Sequence, residues 1–174
     1  SLALTDGRSI LSGCPSVEAQ SEMVVDSASV VYEGSNWTTA IWGAGTQFPV
    51  VREWPVRLGV PFSEYDETHA SKVCVLGQTP AQKLFGRSDP VGRTVRIKKI
   101  PFRIIGVFSV KGPSFFGADQ DDVIVIPCTT MMKKVLGVGH YSWIQVRTRT
   151  PELIDRAMNE IRLVLRRCHR IPPG

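Results

Sequence analysis

No window of this chain approaches 18 consecutive apolar residues, so no α-helical membrane span lies within it. Paired metal-ligating cysteines are also missing. Cys14, Cys74, Cys128 and Cys168 stand about 40 to 60 residues apart with no C-x-x-C, which argues against a structural zinc site. Histidine is scarce: His69, His140 and His169 share no i, i+4 face with another His or Cys, and His169 only neighbours Cys168. No G-x-S-x-G occurs, and no Cys/His pair has a recognised local context, so a nucleophilic triad is unsupported. The "GAG" at 43–45 lacks the further spaced glycines of a Walker loop or a dinucleotide fingerprint. Sequences of the RNP type are absent, and the four tryptophans read as core or interface residues rather than base-stacking platforms. The opening "SLALTDGRSI" has no basic n-region and apolar h-region, so it is not a signal peptide. The chain does not open on Met and stops abruptly at "CHRIPPG". From this we expect a piece of a longer protein.

What is present suits a globular fold. The 174 residues are 43% hydrophobic and 21% charged, enough for one domain, or two small lobes, with a buried core. Net charge is +5 but uneven: residues 1–90 carry 6 Lys/Arg against 10 Asp/Glu, and residues 91–174 carry 15 against 6. A basic half can attract nucleic acid or anionic lipid. A solvated face and a basic helix end explain it as well, since no nucleic-acid motif accompanies it.

The pattern predicts strands with three or four interspersed helices, an α+β order. A short helix is expected in "LTDGRSILSGCPSVEAQ", capped at Thr5 and stopped by Gly13 and Pro15. "SASVVYEGSNWTTAIWG" reads as two strands around Gly34-Ser35, with Trp37, Thr39 and Ile41 on one face and Thr38, Ala40 and Trp42 on the other. The proline-rich stretch from Thr46 to Ala70 reads as loop and short strand, with "SEYDE" a solvated turn. "KVCVLG" is apolar on both faces and belongs inside a sheet, with Cys74 a small buried hydrophobe. "QTPAQKLFG" is a helix with Thr79 as cap, Pro80 first and Gly86 as left-handed stop. A hairpin follows, turning near Lys98 to Pro101, then the strand "DVIVIP". "TTMMKKVLG" is a helix capped at Thr129 or Thr130 and stopped at Gly137, and "YSWIQVRT" is a strand. The last helix starts at Thr150-Pro151 and carries an apolar stripe from Leu153 to Cys168, with acids early and bases late, as the helix dipole favours.

One stretch raises a chemical question. "GADQDDVIVIP" places Asp119, Gln120, Asp121 and Asp122 together before an apolar run. A calcium loop needs alternating oxygen ligands and a distant bidentate acid, and "VIVIP" supplies none. Adjacent carboxylates do not make an acid–base pair without a shaped pocket. A loop whose aspartates cap backbone N–H groups, or a partner contact, remain as the alternatives.

Four stretches together resemble a known family: "VCVLGQTPAQKLFGRSDPVGRTVRI", "IPFRIIGVFSVKG", "FFGADQDDVIVIPCTT" and "NEIRLVLRRCHRI". The segments "LTDGRSI", "YEGSNWTTAIWG" and "VREWPVRLGVPFSEYDE" also fit. The chain is identified as similar to the MacB-like periplasmic core domain of ABC transporter permeases, over nearly its whole length. In physical terms the first stretch is scaffold. Gly77 lets the chain leave its strand, Leu84 and Phe85 face inward, Gly86 stops the helix, Asp89-Pro90 turns the chain, and Gly92 gives tight entry to the next strand.

The resemblance implies an α+β domain of two lobes: a porter-like α/β lobe from both chain ends (1–45 and 126–174), and an inserted strand-rich Sabre-like lobe (46–125). It implies an inner-membrane permease whose domain here is periplasmic, between the first two transmembrane helices. It also implies no catalysis and no cofactor in this domain, with ATP hydrolysis in a separate cytoplasmic domain. The full-length protein is expected to be a homodimer that transmits ATP-driven motion by mechanotransmission to a periplasmic membrane-fusion adaptor and an outer-membrane channel. Relative to the family the first strand is missing, which could leave a sheet edge exposed. Cys74, Cys128 and Cys168 stand where aliphatic or polar residues are expected. Gln47, Trp54 and Phe115 are the exposed candidates for an adaptor face. The alternatives are a lipoprotein-releasing or cell-division permease of the same superfamily and, from other classes, a hydrolase using Asp121 and Asp122 or a nucleic-acid-binding module using Lys98, Lys99, Arg103 and the Arg162–Arg170 cluster.

Overall fold

A computed structural model describes residues 2–170. The elements run α1 (Leu4–Gly13), β1 (Val17–Tyr32), β2 (Ser35–Ala44), α2 (Phe48–Val51), β3 (Val56–Gly59), α3 (Glu64–Thr68), β4 (Val73–Leu76), α4 (Gln78–Phe85), β5 (Thr94–Ile97), β6 (Ile100–Phe108), β7 (Val123–Pro127), α5 (Cys128–Thr130), β8 (Trp143–Thr148) and α6 (Ile154–Cys168). A π-helical turn, Met131–Leu136, extends α5, and a 3-10 turn, Pro151–Leu153, leads into α6. Ile171, the last residue of the closing-helix stretch, lies outside the described residues.

All eight strands join one mixed sheet, and six of them close on themselves in the order β1-β2-β7-β4-β6-β5. β8 is added to the first half of β1 and β3 to β6. β1 is 16 residues long, so its first half takes β8 while its second half closes the ring. Its second half pairs with β2 across the Glu33-Gly34 turn, and its last turn-proximal residues Val30 and Val31 also meet β5. β4 lies between β6 and β7, which accounts for its uninterrupted apolar sequence.

The period-two alternation sorts the side chains into layers. Every ring strand contributes to one cluster, including Val30, Ile41, Cys74, Val95, Ile104 and Ile124, with Leu84 and Phe85 of α4 packed into it. Alternate residues, Val75, Val123 and Val125, face a second cluster with Phe48, Trp54 and Phe108. A third cluster seats α1 and α6 on β1 through Ile10, Cys14, Val17, Ala157 and Val164. The α6 stripe is therefore only partly used: Ile154 and Met158 stay exposed.

The helix starts differ from expectation in a consistent way. At α1 the cap position is Ala3 rather than Thr5, and the Asp6 carboxylate accepts the Ala3 N–H at 2.8 Å. "SEYDE" is a helical turn, because Ser63 and Asp66 form a reciprocal capping box. Gly77 holds the cap position of α4, which frees Thr79 for a tertiary bond. Thr129 and Thr130 lie inside α5 and donate to the carbonyls of Glu67 (2.6 Å) and Ser71 (2.7 Å), fastening the end of α3 to α5. In each case a tertiary or local partner outcompetes the simple cap. Gly137 does close its turn in the left-handed region, whereas Gly86 has φ +59° but ψ −117°, outside it. Lys98 and Lys99 both take positive φ, the backbone of a tight primed hairpin turn, without the glycine usually found there.

Candidate functional site

The acidic loop stands at the entry to β7, beside the start of α4. Each aspartate meets donors. Asp121, 5% exposed, accepts the backbone N–H groups of Lys111 and Gly112, both at 2.8 Å. Asp122 accepts the Trp37 indole N–H at 2.8 Å and the Thr39 hydroxyl at 2.7 Å. Asp119 accepts the Thr79 hydroxyl at 2.5 Å and the Asp121 N–H at 2.9 Å. Gln120 donates its N–H to the Gly112 carbonyl at 3.2 Å. The carboxylates thus tie 111–112, the β2 strand and α4 to the head of β7. No group of three His, Cys, Asp or Glu side chains among the described residues is placed to hold a metal ion.

The scaffold stretch adjoins this latch. Gly77 has no room for a side chain, since a Cβ would come 2.1 Å from the Asp121 carbonyl oxygen. Leu84 and Phe85 are buried, and Asp89 accepts the Val91 N–H at 3.0 Å around the buried Pro90. Gly92 has φ +90°, a conformation that side chains disfavour, and its N–H donates to the Ile104 carbonyl at 2.8 Å.

The latch carries a projecting tip. Between Lys111 and Asp122 the chain makes a small turn closed by the Ser114 N–H to Ala118 carbonyl bond, 2.7 Å, and presents Phe115 and Phe116 at 95% and 92% exposure. Their rings meet edge to face at 5.4 Å. Of the three expected exposed contacts, only Phe115 is fully so. Gln47 is half-buried and accepts the Gln20 N–H at 3.0 Å. Trp54 is a correction: it is 2% exposed, stacks on Phe108 at 4.4 Å and donates to the Ser109 carbonyl at 2.7 Å. Lys111, whose ammonium lies 5.1 Å from the Trp54 ring, has its pKa lowered by burial and then by the nearby Arg52 charge.

The buried thiols of Cys74 and Cys128 are pushed far up by desolvation, which makes them inert as nucleophiles. The four cysteines are all free, and Cys168 is exposed. His169 reaches the buried Asp6 carboxylate at 3.0 Å.

A second acidic group escaped the sequence reading because its members are scattered. Glu22 of β1 and Glu64 and Glu67 of α3 line one pocket, with Gln20 beside them. Burial, then repulsion from Glu22 and Glu64, pushes Glu67 up to about 7. Burial likewise raises Glu22. The available sequence signal was weak: two polar residues, Gln20 and Glu22, alternating within a strand otherwise rich in Val and Ala.

Comparison with known proteins agrees with this architecture. Among solved structures the fold superposes on the periplasmic region of MacB from Actinobacillus actinomycetemcomitans, with TM-score 0.82 and 24% identity over 97% of this chain and 75% of that one. It also matches the extracellular domain of the noncanonic ABC-type transporter YknZ from Gram-positive bacteria, with TM-score 0.80 and 22% identity over 97% and 84%. A profile of the MacB-like periplasmic core domain matches residues 1–164. The macrolide export ATP-binding/permease protein MacB of Syntrophobacter fumaroxidans is 42% identical over 133 residues, 76% of this chain and 19% of that protein. The pyoverdine export ATP-binding/permease protein PvdT of Pseudomonas syringae pv. syringae is 36% identical over 143 residues, 82% and 22%. The chain thus spans about a fifth of the length of these curated relatives.

The fold class is that of the periplasmic domains of ABC transporter permeases. The chain belongs to the MacB-like periplasmic core domain family. No helix among the described residues is long and apolar enough to cross a membrane.

Proposed function

We propose that this domain is the non-catalytic periplasmic part of an export permease, passing ATP-driven motion from a separate cytoplasmic ATPase domain to periplasmic partners. The full-length protein acts as a homodimer, and its partners are a membrane-fusion adaptor and an outer-membrane channel. The names of the relatives, macrolide and pyoverdine exporters, support export of small molecules as the activity. The division into a porter-like lobe (1–45 and 126–174) and an inserted lobe (46–125) is part of this proposal. Two narrow seams in the ring, Val30–Ile97 with Val31–Arg96, and Val75–Val125 with Leu76–Ile124, separate β1, β2 and β7 from β4, β5 and β6 and support a division close to this one, with the second boundary placed before Val123 so that β7 stays whole.

The observation that carries the partner contact is the Phe115–Phe116 tip. Two adjacent aromatic rings held in water on a latched turn are poised to enter an apolar recess on a partner. Asp119, Gln120, Asp121 and Asp122 then serve the contact by holding the turn.

The test is calorimetry of this domain with the adaptor encoded beside its gene, using Phe115→Ser with Phe116→Ser. Affinity should fall by about tenfold or more, the usual cost of losing an aromatic anchor, with the thermal midpoint unchanged. Full affinity in the double variant would exclude the tip as the contact.

A further inference from the structure

The pocket beneath α1 has a cavity of about 300 Å³, near the lower bound for a small-ligand site. Its floor is polar and almost dry. Gln20 is 8% exposed and Glu22 5%, and both project from the same face of β1 because they are two residues apart. Gln20 donates its side-chain N–H to the Glu22 carboxylate at 3.2 Å. That bond fixes the amide, and leaves the Gln20 Oε1 oxygen buried with no hydrogen-bond partner. Such an orphan costs on the order of 1–3 kcal/mol unless something donates to it.

The backbone is shaped around these groups. A Cβ on Gly7 of α1 would lie 2.5 Å from one Glu22 oxygen and 2.7 Å from Gln20 Oε1. A Cβ on Gly45 would lie 2.5 Å from the other Glu22 oxygen. Glycines on both sides therefore admit a buried carboxylate at that point. Glu64 and Glu67 of α3 close the acidic wall, and Leu4 and Leu11 of α1 line the other side. Arg8 of α1 and Lys133 of the π-helical turn reach the pocket, and Arg8 acts on Glu22 and Glu67 at a distance. Among the described residues neither cation forms an ion pair with Glu22, Glu64 or Glu67. The Tyr141 hydroxyl is buried as well and feels the Glu22 charge.

An unsatisfied amide oxygen beside carboxylates that lack cationic partners calls for a compact group with several N–H donors and a positive charge. An ammonium has three donors and no acceptor. A metal ion fits less well, since no metal-competent group of acidic side chains occurs here. We propose that this pocket binds a protonated primary amine, its ammonium accepted by Gln20 Oε1, Glu22 and Glu67, and its carbon stem lying against Leu4 and Leu11. The amine belongs either to a free small molecule or to a lysine side chain of a peptide, and the site makes the same bonds to both. The inference rests on the pocket alone and stands apart from the export reading and the Phe115–Phe116 contact.

The test is a titration of the 174-residue chain followed by amide NMR at pH 8 and constant ionic strength, with n-butylammonium, n-butanol and tetramethylammonium in separate arms. Butylammonium should shift the Gln20 side-chain amide and the Glu22 and Thr46 backbone amides saturably, while butanol and tetramethylammonium leave them in place. Glu22→Gln should weaken butylammonium by about tenfold, the size of one lost charge-assisted bond. Glu67→Gln gives a second reading if the first variant unfolds. Lowering the pH should weaken binding in the wild type, because Glu22 and Glu67, both raised by burial, take up protons in a pocket that Arg8 and Lys133 also line. A lysine-bearing peptide that binds more tightly than butylammonium identifies the peptide source, and one that binds more weakly identifies the free amine. Equal shifts with butanol or tetramethylammonium, no shift with butylammonium at concentrations on the order of 100 mM, or unchanged affinity in both folded variants would overturn the proposal.

Discussion

Asp121 and Glu22 are buried to the same degree, each 5% exposed, and their surroundings are opposite. Asp121 meets two backbone N–H groups at 2.8 Å, so its charge is spent on closing a loop. Glu22 meets one side-chain amide at 3.2 Å, and its pKa is raised by desolvation. The first arrangement satisfies a carboxylate within the fold, and the second leaves a carboxylate short of donors. Acidic residues crowded in sequence therefore mark architecture here, and acidic residues dispersed in sequence line the pocket proposed to take an amine. What separates the two is the supply of donors, which depends on tertiary neighbours rather than on the density of charge.

That contrast can be broken at several points. The largest effect is expected from Gly77→Ala, because its Cβ would sit 2.1 Å from the Asp121 carbonyl oxygen and must push the latch off α4. Denaturant unfolding should show a loss of about 3 kcal/mol, at the upper end of overpacking costs. Asp121→Asn should cost about 2 kcal/mol by the same measurement, since one of two buried backbone donors loses a charged acceptor. An unchanged midpoint in Asp121→Asn would show that the latch does not hold the loop.

The pocket should respond in the other direction. Glu67 is raised from 4.5 to about 7, so the folded protein holds this proton more tightly than the unfolded chain does. Its contribution to stability is complete below the ordinary carboxylate value and is lost as pH rises through about 7. Glu22 is raised as well and adds to the same trend. Glu67→Gln should remove a decline on the order of 1 kcal/mol between pH 5 and 8, after allowance for solvent screening, as read from melting curves across that window. A slope that survives in both Glu67→Gln and Glu22→Gln would move the effect elsewhere. The smallest change is expected at the tip: Phe115→Ser with Phe116→Ser should alter unfolding free energy by less than about 0.5 kcal/mol, as exposed substitutions do.

Much of the fold was legible in the residues because period-two alternation survives burial. The β1–β2 hairpin, the interior strand at Cys74, the β5–β6 turn and β7 all follow from it. The start of β1 was missed, since Val17 to Met23 mixes polar residues into a strand that is covered by α1 on one face. The Thr46–Ala70 stretch concealed two helical turns, because three prolines, Pro49, Pro55 and Pro61, mask helices of only four and five residues. Trp54 looked available as a surface anchor only until Phe108 and the Ser109 carbonyl were seen to enclose it. The aspartate cluster was visible from the start, but Glu67 becomes a neighbour of Gln20 and Glu22 only in the folded chain, where Thr129 and Thr130 fasten the end of α3 to α5, a long-range event no local pattern announces.

The closed ring has a mechanical corollary. In an open sheet one strand can slide past its neighbour and dissipate a pull at a free edge. In a hoop each strand is gripped on both sides, so a sliding step must break register at two places together. The weakest grips are Val30–Ile97 with Val31–Arg96, and Val75–Val125 with Leu76–Ile124. Under tension the hoop should part along those two lines into two stiff half-shells before any strand within a half unravels, so the domain yields as a clamshell does, at its rims.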